Sequence, residues 1–184
     1  QRHVVFSQRK NAMNSENIFD YSDEFLKEII DDLIKLKISN LSNPKSNEFN
    51  NKTKQIVGKS FEETEFKDLI ETKDKDFREK ISNKFQETRN DRIKLLGEDH
   101  AKEIEKRIFL QSIDLNWKSH IQYLEQLRQV IGLRSYGQRD PLVEYKKEAF
   151  ELFSNLLEKL KLDYVTILMN LKVVIQSDQN EESK

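Results

Sequence analysis

The residues that could do chemistry in this chain are few, and most are badly spaced for it. Gly58-Lys59-Ser60 has the ending of a phosphate-binding loop. That loop needs a glycine five positions before Gly58, so that backbone N–H groups can cradle a phosphate, and the position holds Thr53. The segment is therefore expected to be a loop leading into a helix capped at Ser60, with Glu63 completing the box. His3, His100 and His120 are far apart, and none has a second histidine four residues on, as a helical metal site would. Acidic pairs such as Asp31-Asp32 and Glu62-Glu63 make poor proton-transfer dyads, because adjacent residues of a helix do not face each other. Cysteine is absent, which removes thiolate chemistry, disulfides and cysteine zinc sites. No catalytic, cofactor-binding or metal-ligating residue is expected, so the function should be mechanical or recognitional.

The informative stretch is a loop, Gly132 to Pro141, between two long amphipathic segments. From Arg128 to Lys147 there are five basic residues, Arg128, Arg134, Arg139, Lys146 and Lys147, against Asp140 and Glu144. The whole chain carries a formal net charge of only −1. Gly132 and Gly137 relieve steric limits on the bend. Tyr136 sits between the arginines, beside Gln138. An exposed tyrosine can stack on or hydrogen-bond to many partners. It can equally fold back onto the helix ends, and the residues alone leave both readings open.

Positioning that loop falls to helices. Ile113, Trp117, His120, Leu124, Leu127 and Ile131 recur at steps of four and three, a heptad-like seam on a helix from about Asp99 to Ile131. His120 is read as a hydrogen-bonded interior histidine and Trp117 as a packing anchor. Asp140 is placed to cap a following helix whose first residue is Pro141, where a missing N–H costs nothing. Its inward residues are read as Val143, Phe150, Phe153, Leu157, Leu160, Tyr164, Ile167, Leu168 and Leu171. Upstream, helices are expected over residues 1–13, over 22–38 with Ser22 or Asp23 as cap, from Ser60, and over 74–96. Residues 39–54 read as a polar loop, and 176–184 as a disordered tail. The fold class is all-α, an elongated fragment with a long antiparallel two-helix hairpin and a smaller helical wing.

Charged residues make up 35% of the chain and hydrophobic ones 36%, the balance of helices with much solvated surface. Near-neutral charge argues against nucleic acid as a partner. No apolar run is long enough to span a bilayer. The chain starts at Gln1 without an initiator methionine and reads as part of something larger.

The order Leu110-Gln-Ser-Ile-Asp114-Leu-Asn-Trp117-Lys-Ser-His120, Leu127-Arg128-Gln129, Leu133-Arg134-Ser-Tyr136-Gly-Gln138-Arg139-Asp140-Pro141 and Glu144-Tyr145-Lys146-Lys147-Glu148 resembles the C-terminal part of SecA, the family of motor ATPases of bacterial preprotein translocation. The resemblance runs over Lys106 to Val173 and over residues 1–13, and assigns the stretch between by length and position. It implies that residues 1–13 end a long scaffold helix, 14–97 form a helical wing, and 98–175 return as a two-helix finger. It implies contact of the fingertip (Tyr136, Arg134 and Arg139) with unfolded preprotein. Arg128, Gln138, Lys146 and Lys147 would face the SecY channel or the parent's own motor domains. Trp117, His120, Asp140 and Pro141 would be structural. ATP and magnesium would belong to the parent's nucleotide-binding folds and not to this segment. The location implied is cytoplasmic, peripheral at the inner face of the bacterial inner membrane. The family usually has Gly at the position of Ser135, commonly Ala and Lys at Gly137 and Arg139, and often His at Gly132. The first three changes keep the loop small and basic. A homodimer through exposed apolar surface is a further expectation. A free-standing helical adaptor or coiled-coil interaction protein without a motor fits the seam spacing equally well.

Overall fold

A computed structural model describes residues 1–14, 16–42, 47–137 and 140–173, except for the side chains of residues 42 and 134–136. The described residues form seven α-helices: α1 Arg2–Asn14, α2 Ile18–Ser42, α3 Glu48–Val57, α4 Glu63–Glu71, α5 Asp74–Leu96, α6 Glu98–Ile131 and α7 Pro141–Asn170. A 3-10 turn, Gly132–Gly137, follows α6, and no strand occurs among these residues. The fold is all-α.

Local chemistry explains several boundaries. Helix α5 carries Asp74 and Asp76 in its first turn and Lys94 in its last, each opposite in sign to the helix dipole there. It stops at Gly97, whose φ of +83° is a conformation that residues with a Cβ avoid. The chain thereby breaks α5 from α6 in a single residue.

Four expectations needed correcting. Helix α2 begins at Ile18, not at Ser22, because Ile18 is buried and Phe19 lies under the Arg89 guanidinium at 4.4 Å. Ser22 is consequently an interior residue and caps nothing. The polar stretch 39–54, read as loop, continues α2 to Ser42 and contains most of α3. In α3, Phe49, Thr53, Ile56 and Val57 are buried on one face, and that burial outweighs the weak helix propensity of its asparagines. The capping box of α4 is made by Glu62 and Glu65, with the Glu65 carboxylate accepting from the Glu62 N–H at 2.9 Å. Ser60 instead donates its hydroxyl hydrogen to the Met169 carbonyl. In α7, Val143, Phe150 and Ile167 are exposed, and Ala149, Leu156, Val165 and Met169 are buried instead.

One continuous apolar core joins all seven of these helices. At its centre Phe109 lies 5.9 Å from Phe25 and 5.0 Å from Tyr164, ring to ring. Phe49 and Phe77 meet at 5.6 Å on the far side. The Lys37 ammonium sits 5.4 Å from the Phe77 ring centre and donates to the Thr72 carbonyl at the end of α4.

Inside this core lies a charged cluster. Glu105 of α6 is 0% exposed, and Arg89 and Arg92 of α5 are almost as buried. Glu105 Oε1 accepts from Arg89 Nε at 3.2 Å and from Arg92 Nη2 at 2.8 Å. Its Oε2 accepts from the Ser22 hydroxyl at 2.9 Å. Arg89 also donates to Ser22 Oγ at 2.6 Å and pairs with Asp23 at 2.9 Å, while Arg92 donates to the Leu168 carbonyl at 3.1 Å. One carboxylate thus ties α2, α5, α6 and α7 together. Burial and the nearby Glu105 charge also push the Tyr164 phenol far above its ordinary pKa.

Removing one partner of a buried ion pair strands the other charge without solvent, which typically costs about 3–5 kcal/mol. Glu105→Ala should lose stability on that scale in denaturant unfolding. Lys35→Ala, which breaks an exposed pair with Asp32, should change it far less. Equal effects of the two substitutions would contradict the assigned role of the cluster.

Candidate functional site

The sequence directs attention to α6, α7 and the turn between them. The two helices pack antiparallel. At the base Phe109 meets Tyr164, and Asn116 Nδ2 donates to Asp163 Oδ2 at 3.2 Å. Further out, His120 lies 5.8 Å from Phe153 and 5.5 Å from Trp117, ring to ring. Contacts progress up α6 as they progress down α7, which is the hairpin that the seam spacing implied. Helix α1 crosses α6 here: Arg9 pairs with Asp114 at 3.1 Å.

His120 is buried, and its Nε2 hydrogen is donated to Gln1 Oε1 at 2.9 Å. The Gln1 amide donates in turn to the Ala149 carbonyl at 2.9 Å. Gln1 therefore links α1 to both hairpin helices at His120. Burial holds His120 below its ordinary pKa of 6.5.

Beyond this level the hairpin buries little. Leu127, Ile131 and Ala149 are buried. Val130, Leu133, Leu142, Val143 and Phe150 are half or more exposed, Phe150 at 68%. The distal part thus presents apolar side chains to its surroundings on more positions than it hides. Arg128 pairs with Glu125 at 3.2 Å but keeps 72% of its side-chain exposure, so the pair contributes little and leaves the guanidinium accessible. Lys146 and Lys147 are exposed on the first turns of α7. Asp140 Oδ1 accepts from the Leu142 N–H at 2.9 Å, and Pro141 opens α7.

The backbone of Arg134 and Tyr136 lies in the 3-10 turn, and their side chains are not described. Gln138 and Arg139 lie outside the described residues. Gly132 has an ordinary helical φ of −60° with open space around it, so the bend does not depend on its missing side chain there. Among the described glycines only Gly97 has positive φ.

Gly58-Lys59-Ser60 makes no phosphate cradle: Gly58 closes α3 with helical φ, and the Ser60 hydroxyl is engaged by α7. His3, His100 and His120 share no site, and no cluster of metal-ligating residues exists among the described residues. No helix among them is long and apolar enough to cross a membrane. Sequence reasoning missed the Arg89–Arg92–Glu105 cluster. A signal was present: Phe77, Ile81, Phe85, Arg89 and Arg92 form one helical stripe, so both arginines fall on the apolar face.

Comparison with known proteins agrees along nearly the whole chain. Residues 1–172 match the SecA Wing and Scaffold domain family. The chain is 68% identical over 180 residues to the protein translocase subunit SecA of Pelagibacter ubique, covering 98% of this chain and 21% of that protein. It is 50% identical over 80 residues to the SecA subunit of Hyphomonas neptunium, covering 44% of this chain and 9% of that protein. With the SecA subunit of Campylobacter lari it shares 42% identity over 94 residues, 51% of this chain and 11% of that protein. The chain therefore spans about a fifth of the length of the Pelagibacter relative.

The His120 environment predicts a pH dependence. Well above pH 6.5 the ring is neutral in folded and unfolded chains alike. Below it the unfolded chain takes up a proton that the folded chain resists, so stability falls as pH drops from about 7 towards 5. Thermal unfolding across that range checks this, and His120→Gln should make the fall shallower. An unchanged slope in that variant would contradict the reading.

Proposed function

The chain belongs to the SecA Wing and Scaffold family, and from that premise we propose that it is the mechanical end of an ATP-driven preprotein translocase. In this reading α6 and α7 are a two-helix finger, α1 ends a scaffold helix, and residues 14–97 are a wing. The finger points its 3-10 turn towards the mouth of the SecY channel. Tyr136, Arg134 and Arg139 meet the unfolded preprotein, and Arg128, Gln138, Lys146 and Lys147 face the channel or the parent's motor domains. ATP and magnesium act in nucleotide-binding folds elsewhere in the longer protein, and this segment hydrolyses nothing by itself. The working location is the cytoplasmic face of the bacterial inner membrane.

The observation that carries this reading is the contrast along the hairpin. Its base is held by a buried ionic cluster and a shared core, whereas its distal part exposes Val130, Leu133, Leu142 and Val143 beside accessible cations. Apolar and aromatic contact is tolerant of sequence, because such groups pack against most side chains. That tolerance suits a partner that varies from one preprotein to the next. Helix α6, at 34 residues, reaches about 51 Å at 1.5 Å per residue, enough to carry a tip well away from its anchor.

Tyr136→Ala in the full-length translocase should reduce preprotein transport severalfold while leaving ATP binding unchanged. Transport into channel-containing vesicles and nucleotide titration measure the two. Unchanged transport would contradict the role given to the tip.

A further inference from the structure

A finger that bears load at its tip needs a base that does not slip. From Glu105 to Ile131 the lever is roughly 39 Å at 1.5 Å per residue. Apolar packing resists separation of helices but is non-directional, so it resists sliding and rotation less well. Hydrogen-bonded charges have one best geometry. The Glu105 cluster supplies it at the junction of wing and hairpin: Arg89 and Arg92 of α5 on one oxygen, Ser22 of α2 on the other, and Arg92 reaching on to the Leu168 carbonyl of α7. Both hairpin helices are therefore referenced to the same two wing helices. The cluster is also unbalanced, with two buried guanidiniums facing one buried carboxylate and Asp23 helping from the rim. Loss of the Glu105 charge would leave two buried guanidiniums of α5 without their shared anion, and water would have to enter between α5 and α6 to solvate them.

Resting on the finger reading above, we propose that Glu105 is a positioning residue for translocation: through Arg89, Arg92 and Ser22 it locks the hairpin base to α2 and α5, so that wing and fingertip move as one. It touches neither preprotein nor nucleotide. Its effect lies in how much of each motor stroke reaches the tip. The buried charges are thus kept for register, a use for which an apolar replacement of equal volume would not serve.

The test uses the full-length translocase with its channel and Glu105→Gln, which keeps the shape and removes the charge. Spin labels at Lys67 on α4 and Gln129 near the tip report the wing-to-finger distance. The expected result is a broadened distance distribution and a severalfold lower length of preprotein moved per ATP hydrolysed, with hydrolysis continuing. If Glu105→Gln does not fold, Ser22→Ala cuts one arm of the lock, and the expected loss is about twofold. A folded variant with a distribution as narrow as the unsubstituted protein overturns the proposal, and so does wild-type transport per ATP. Tyr136→Ala measured in parallel keeps the two ideas apart: if it leaves transport intact, the finger reading fails, while the distance distribution still judges the lock.

Discussion

The constraint on which the rest of the structure depends is the burial of one carboxylate. Glu105 has no access to solvent, and its two oxygens are satisfied only if α5 and α2 arrive in one particular register. Ionised carboxylates are costly to bury alone, so arrangements that leave this one unpaired are strongly disfavoured. The register that satisfies it also brings Phe25, Phe109 and Tyr164 together and places the Leu168 carbonyl within reach of Arg92. Apolar burial supplies most of the drive to fold, and the charged cluster selects which packing results.

From that anchor the hairpin follows as a consequence of length and period. Helices α6 and α7 keep a seam at steps of three and four through Phe109, His120 and Phe153 out to Leu127 and Ile131. Helix α1 reinforces the middle of the hairpin through Arg9 and Gln1. Past Ala149 the seam has only Leu127 and Ile131 to bury, and the remaining apolar side chains face outward. The molecule is therefore graded along one axis, from a core held on several sides to a hairpin end held only by itself. That gradient fits the proposed role of a mechanical element that engages a changing partner.

Much of this was legible in the sequence, and the failures have physical causes. The extents of α5 and α6, the cap at Asp140 and the interior position of His120 follow from periodicity and capping chemistry. Helix α3 was hidden because asparagines and a threonine mask an apolar face at Phe49, Ile56 and Val57 that only tertiary contact stabilises. Ser22 and Ser60 look like caps, and each spends its hydroxyl on a distant helix instead, which no local pattern can reveal. Val143 and Phe150 extend the apolar count of α7 but are exposed, while Ala149 between them in the chain is buried. The tip residues were singled out by charge and by family resemblance, and periodicity says nothing about what they touch.

The central claim is that the tip of the hairpin touches the moving chain. A photo-crosslinking amino acid at position 136 of the full-length translocase, used with a preprotein arrested partway through its channel, tests it most directly. The account predicts adducts between position 136 and the preprotein, and none from the same probe at Lys67 on α4. An absence of adducts at position 136, or equal adducts from both positions, would contradict it.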